Sequence, residues 1–221
     1  IPLVVIELKN ASSEKADIRS AYQQLQTYKA TIPSLFTYNA VCVISDGLEC
    51  KAGSLSADLS RYMAWRTADG VKEASRFKPQ LDTLLKGMFQ PATLLDLVRN
   101  FIVFEKSKKE DAKTGLVQVQ TVKILAAYHQ YYAVNKAVES TVHASGDRGD
   151  KRGGVVWHTQ GSGKSLSMVF LVRKMRMMPR LNRFKVVVVT DRTDLQDQLG
   201  ATAQLSGEAV RPTDRDLASR E

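Results

Sequence analysis

The stretch 161-GSGKS-165 constrains this chain more than any other, because of what stands on either side of it. The apolar run Val155, Val156 and Trp157 precedes it, and "SLSMVFLVRKMRMM" follows as an apolar helix until Pro179 stops the pattern. Gly161 and Gly163 let a loop turn tightly with its amides converging. Lys164 is then placed to reach the β and γ phosphates of a nucleotide, and Ser165 to ligate Mg2+, at the start of a helix whose free amides and dipole favour anions. A purely structural glycine turn is the competing reading, but such a turn needs neither the apolar strand before it nor Lys-Ser after it. The spacing departs from G-x-x-x-x-G-K-[ST] at its first position, which is His158. "FKVVVVTDR" supplies a second apolar strand, and strand, helix, strand in this order predicts a parallel sheet covered on both faces.

The first half reads differently. In "PLVVIELKN" alternation puts Glu7 and Lys9 on one side of a strand and Ile6 and Leu8 on the other, which makes either a surface edge with a local ion pair or half of a metal site. "DIRSAYQQLQTYKATIP" is helical through Ile18, Tyr22, Leu25 and Tyr28, and Gln24 and Tyr28, one turn apart, share a side. Asp46-Gly47 marks a hairpin turn. The segment from Tyr62 to Pro79 is loop-rich, and Gln80 to Phe101 is helical with a break at Gln90-Pro91. "NFIVFEKSKKEDAKTG" reads as a short strand running into a solvated charged connector, with a domain boundary between Phe101 and Thr121 and a positive half able to touch DNA. "QTVKILAAYHQYYAVNKAVEST" reads as one helix carrying Ile124, Tyr128, Tyr131 and Val138 toward a core.

With 32 Lys and Arg against 23 Asp and Glu the chain carries a formal charge of +9, which attracts polyanions. Cys42 and Cys50 stand outside any metal-ligand cluster and predict no disulfide. Neither a lysine-flanked leader nor a run of about 18 apolar residues is present, so secretion and membrane spanning are not expected. Ile1 already lies in a strand pattern with no methionine before it, which predicts a fragment, monomeric in isolation.

The loop resembles that of superfamily 2 helicase-like motors, many of which replace the first glycine. "TDRTDLQDQL" resembles their motif Ia, which implies that Thr190 and Arg192 approach a nucleic-acid backbone, unless they only hold a charged helix start. "AAYHQYYAVNKAV" resembles the adenine-recognising Q-motif region, which implies that Gln130 pairs with the base; alone, it would be an ordinary helix residue. Taken together with "ELKNASSEKADIRSAYQQLQTYK", these segments resemble the motor (R) subunit of type I restriction-modification enzymes, over the whole chain. The resemblance implies a restriction-endonuclease-like mixed sheet of the PD-(D/E)xK type over 1–110, followed over 111–221 by the beginning of a RecA-like parallel-sheet motor. It implies Glu7 as a metal-binding and catalytic carboxylate, Lys9 as the catalytic lysine, the Leu8 carbonyl as a further metal ligand, and Gln24 and Tyr28 as orienting residues. It implies ATP held by Gln130, Thr159, Gly161, Ser162, Gly163, Lys164 and Ser165, with Mg2+ at Ser165. The activity implied is ATP-driven translocation on double-stranded DNA with phosphodiester cleavage, in the cytoplasm, beside methyltransferase and specificity subunits. The family's other metal-binding aspartate is expected before Ile1, since Asp17 sits at a helix start and Asp46 in a turn, and its Walker B motif after Glu221. The isolated fragment is therefore expected to be inactive. The alternatives are a superfamily 2 helicase or repair motor with a non-cleaving nuclease-like domain, and a nucleotide-dependent DNA-binding scaffold.

Overall fold

The run at residues 3 to 8 forms strand β1 (Val4–Leu8), and helix α1 (Ile18–Thr31) follows it. The computed structural model describes residues 1–10, 17–110, 117–181, 183–190, 199–209 and 211. The chain divides into two units, Ile1–His129 and Gln130–Glu221.

Asp17 starts α1 with a reciprocal cap. Its Oδ1 accepts from the Ser20 amide at 2.6 Å, and the Ser20 Oγ accepts from the Asp17 amide at 3.1 Å. That backbone bond, ahead of the other causes, holds the Asp17 carboxyl below its usual range. Beyond α1, Pro33 begins a 3-10 turn. Strand β2 (Val41–Ser45) is buried at every position, as expected of a central strand whose two faces are covered. It pairs parallel with β1 and antiparallel with β3 (Cys50–Gly53), giving the order β1-β2-β3. The turn between β2 and β3 is the expected one: Gly47 has φ +94°, and Asp46 Oδ1 accepts from the amides of Leu48 and Glu49.

The core under this sheet gathers Val5, Cys42 and Ile44 from the strands with Ile18, Ala21 and Leu25 from α1, plus Phe36 and Tyr62. Helices α2 (Gln80–Gly87) and α3 (Pro91–Asn100) flank the break at Gln90-Pro91, where the Gln90 side chain caps α3 by accepting from the Thr93 amide at 3.0 Å. The segment between Tyr62 and Pro79 is loop, apart from a single bridge from Met63 to Ala52. Both cysteines are buried and free.

Three expectations from the sequence fail, each because pairing outweighs local pattern. The charged run from Lys106 to Glu110 is not a connector loop but the second half of β4 (Ile102–Glu110). Its partner, β5 (Val117–Leu125), takes the place of the first part of the expected helix, which starts only as α4 (Tyr128–Ser145). The two strands run antiparallel from Ile102↔Leu125 to Glu110↔Val117. Val117, Val119, Thr121, Val122 and Ile124 are β-branched and suit a pleated surface better than a helix. Lys123 fastens this hairpin to the first sheet: its amide donates to Ser56 Oγ at 2.6 Å, its carbonyl accepts from the Ser54 hydroxyl, and its ammonium donates to the Asn39 carbonyl.

The third failure lies in the second unit. Neither Val155–Trp157 nor 184–190 is a strand, and Val155, Trp157, Val187 and Val189 are exposed. A strand exists only where its amides and carbonyls find a neighbour, and neither segment has one among the described residues. Within this unit α5 (Lys164–Arg176) lies against α4, where Lys174 Nζ donates to Asn135 Oδ1 at 2.5 Å. The architecture is mixed α/β with two small sheets. No helix among the described residues is long and apolar enough to cross a membrane.

Candidate catalytic and nucleotide sites

In the first unit the pair Glu7 and Lys9 sits where its strand meets the core. Val5 belongs to the cluster shared with α1, so alternation along β1 directs Glu7 and Lys9 to that same helix-covered face. Ile6 and Leu8 take the opposite, exposed side. The Lys9 ammonium meets Glu7 Oε1 at 2.9 Å, with the Glu7 side chain only 13% exposed and that of Lys9 25%. The end of the strand is held by the Lys9 amide, which donates to the Ser45 carbonyl at 2.8 Å. This fixes the direction in which the two charges emerge.

The structure brings together only some of the residues expected beside this pair. Tyr28 packs on the core cluster that contains Val5, as its helical spacing with Ala21 and Leu25 requires. Gln24 is half-buried next to that stripe. Neither makes a side-chain hydrogen bond among the described residues, so no hydrogen bond among them joins either to the ion pair. No group of three or more His, Cys, Asp or Glu able to hold a metal occurs among the described residues. Glu7 by itself is a short donor set, since hard divalent cations take about six oxygen ligands. The described residues of this face therefore supply one carboxylate and one ammonium, not a whole metal centre.

In the second unit the glycine-rich loop has the geometry its residues predict. Gly161 and Gly163 have φ of +77° and +80°, the left-handed region that a side chain disfavours. Gly163 is the N-cap of α5, and its carbonyl accepts the first helical bond, from the Ser167 amide at 3.1 Å. The amides of Lys164, Ser165 and Leu166 therefore lack intrahelical acceptors and face the positive end of the helix dipole. Lys164 Nζ bends back over the loop to the carbonyls of Thr159 at 3.0 Å and His158 at 3.2 Å. Ser162 closes the turn through its hydroxyl, which donates to Thr159 O at 2.7 Å. The Ser165 hydroxyl makes no hydrogen bond among the described residues.

This geometry accounts for the departure at His158. The only non-glycine residue with positive φ among those described is Lys151, so His158 adopts an ordinary backbone conformation. What it gives the loop is a carbonyl, which any residue has.

Gln130 stands on α4, as its helical spacing predicts, but makes a contact that the spacing does not reveal. It is 5% exposed, and its Nε2 donates to the Gly163 carbonyl at 3.0 Å, with Ser162 O at 3.5 Å. The amide expected to meet adenine thus touches the glycine-rich loop. No local signal announces this contact, because 33 residues separate the partners. Of the pair expected near nucleic acid, Thr190 is half-buried. Arg192 lies outside the described residues.

Comparison with known proteins matches the two halves to different families. Residues 1–61 match the N terminus of type I restriction enzyme R proteins, and residues 129–220 match the SWI2/SNF2 ATPase family. The HindI type I restriction enzyme endonuclease subunit of Haemophilus influenzae is 44% identical over all of this chain and 20% of its own length. The putative MjaIXP endonuclease subunit of Methanocaldococcus jannaschii is 31% identical over 90% of this chain and 19% of its own. A Staphylococcus aureus subunit, SauCOLORF180P, is 26% identical over 90% of this chain and 19% of its own. The chain spans about a fifth of the length of these relatives. The chain is thus similar along its length to the endonuclease (R) subunits of type I restriction enzymes, with residues 1–61 matching the R-protein N terminus and residues 129–220 the SWI2/SNF2 ATPase family.

Proposed function

We propose that this chain is the part of a cytoplasmic type I restriction subunit in which a PD-(D/E)xK nuclease core is joined to the first RecA-like domain of an ATP-driven translocase on duplex DNA. The observation that carries the reading is that one chain holds both an ExK pair on the helix-covered face of an edge strand and a phosphate loop at the start of α5.

In the motor half, the amides at the start of α5 and the Lys164 ammonium neutralise the β and γ phosphates of ATP. Lys164 exchanges its two loop carbonyls for phosphate oxygens. Ser165 offers its hydroxyl to the Mg2+ that accompanies the nucleotide and spreads the charge of the phosphates. Thr190 and Arg192 take the backbone of the tracked DNA. In the nuclease half, Glu7 supplies one metal-binding carboxylate and the Leu8 carbonyl a second oxygen. Lys9 places a positive charge beside the scissile phosphate, where negative charge develops during water attack. Gln24 and Tyr28 orient that face from α1. Modification and specificity subunits are the partners, and the recognised sequence is read by the latter. Phosphate contacts made by this basic chain are insensitive to sequence and weaken with salt.

The test separates the two reactions in the intact assembly. Lys164→Ala abolishes ATP turnover and translocation; translocation that persists in this variant refutes the motor. Glu7→Gln keeps the shape of the half-buried face, abolishes DNA cleavage and leaves ATP turnover standing. Cleavage that survives in it reduces the pair to a structural ion pair.

A further inference from the structure

We infer that the outer half of the β4–β5 hairpin is a docking arm for the phosphate backbone of duplex DNA. This rests on reading the chain as one that acts on DNA, and it names a surface outside the two sites already described.

The hairpin is longer than its anchorage needs. Ile102 and Val103 are buried at its root, and Lys123 ties β5 to Ser54, Ser56 and Asn39. Beyond Lys106↔Thr121 the ladder nevertheless runs on to Glu110↔Val117, adding about 14 Å at about 3.4 Å per residue. The sheet has only these two strands, and a two-stranded ribbon is marginally stable in water. Lys106, Val119, Gln120 and Thr121 are exposed, so this end adds no burial to the core that would offset the cost of ordering it. Contact with a partner is what the extra length can serve.

The composition of this end selects the partner. Here β4 carries Lys106, Lys108 and Lys109 against Glu110, and β5 carries no charge from Val117 to Val122. Lysines along an edge discourage a further strand from pairing, which disfavours a protein strand as the occupant. A duplex meets the opposite conditions. Lysines attract its phosphates, and its major groove, about 12 Å wide, admits a two-stranded ribbon. Alternation puts Phe104 beside Lys106, and the ladder sets Val119 and Thr121 on that same face, where Phe104 is 59% and Val119 63% exposed. In a groove such apolar groups find the methyl groups of thymine while the lysines hold the backbone.

The probe is a fluorescent duplex of random sequence, titrated by anisotropy against the intact protein over a range of salt concentrations. Each lysine that neutralises a phosphate contributes about 0.9 to the slope of log affinity against log salt. With Lys106→Gln, Lys108→Gln and Lys109→Gln combined, the slope should fall by about 2.7, so that raising salt from about 50 to 200 mM costs this variant about 40-fold less affinity than it costs the wild type. Gln120→Lys, at an exposed position of the same ribbon, should raise the slope by about 0.9, and it decides the matter if the triple variant fails to fold. Salt-dependent binding by the wild type whose slope neither variant changes overturns the inference and leaves the DNA reading standing. Loss of assembly with the modification or specificity subunits at an unchanged slope overturns it in favour of a protein surface. A wild-type protein that binds no duplex removes the DNA reading itself and the inference with it.

Discussion

Gly161 and Gly163 form a matched pair for a quantitative test. Both have φ near +80°, at +77° and +80°, so an alanine at either pays the same left-handed strain of about 1–2 kcal/mol. Their surroundings differ. A β-carbon at Gly161 meets nothing within 4 Å, whereas one at Gly163 comes within 2.5 Å of Gln130 Nε2. Gln130 is buried, so its amide can yield only by giving up the Gly163 carbonyl, at about 1–3 kcal/mol for the buried hydrogen bond lost. On the proposed reading of this loop as a nucleotide site, the strain is relieved when the loop leaves its binding shape, and it is expected to appear as lost affinity for ATP. Gly161→Ala should weaken binding about 5- to 30-fold, and Gly163→Ala by a further factor of about 5 to 150. In a Gln130→Ala background the obstacle is gone, and the two alanines should then cost the same, the signature of direct coupling in a double-mutant cycle. The assay is calorimetric titration of ATP against the six proteins at one pH and salt concentration. If Gly163→Ala costs no more than Gly161→Ala in the wild-type background, the packing of Gln130 on the loop is not what the geometry indicates.

Two further outcomes follow from the first unit. Burial pushes the Cys50 thiol up to about 12 from its ordinary 9.0, so it should resist alkylation in the folded protein and react once urea unfolds it. A raised pKa means stability that is complete below about pH 9 and lost as pH rises toward about 12, and the urea midpoint should fall over that window less steeply in Cys50→Ala. Gly87→Ala sets two effects against each other. Alanine gains about 1 kcal/mol of helix propensity, but its β-carbon would lie 2.4 Å from Trp65 Nε1 and 2.6 Å from the Thr67 carbonyl. Because the Thr67 oxygen is backbone and cannot swing aside, overpacking should win with a net loss of about 1–2 kcal/mol, read from the denaturation midpoint. A stabilised Gly87→Ala would show that the backbone yields freely there.

The elements legible in the sequence are those whose signals are local. Asp17 before a helical spacing, Asp46-Gly47 between two apolar runs and Pro91 after Gln90 each act through the backbone of a few neighbours, and each stands where expected. The glycine-rich loop was legible for the same reason, since φ at Gly161 and Gly163 and the start of α5 are properties of about eight consecutive residues. Alternation also placed Glu7 and Lys9 together, and they meet at 2.9 Å. It could not say which side of β1 the core would take, and the charged side turned out to be the covered one.

The sequence by itself thus determined the turn of the glycine-rich loop, the Glu7–Lys9 pair and the helix ends, because short-range sterics and side-chain period decide them. Tertiary structure decided the rest, because a strand is a relation between two segments. Lys106–Glu110 looked like a solvated loop until β5 paired with it, and Val155–Trp157 looked like a strand yet has no partner among the described residues. Gln130 is the plainest case. Its place in α4 was legible from helical spacing, but the Gly163 carbonyl it holds lies 33 residues away, and only folding brings that backbone to its amide.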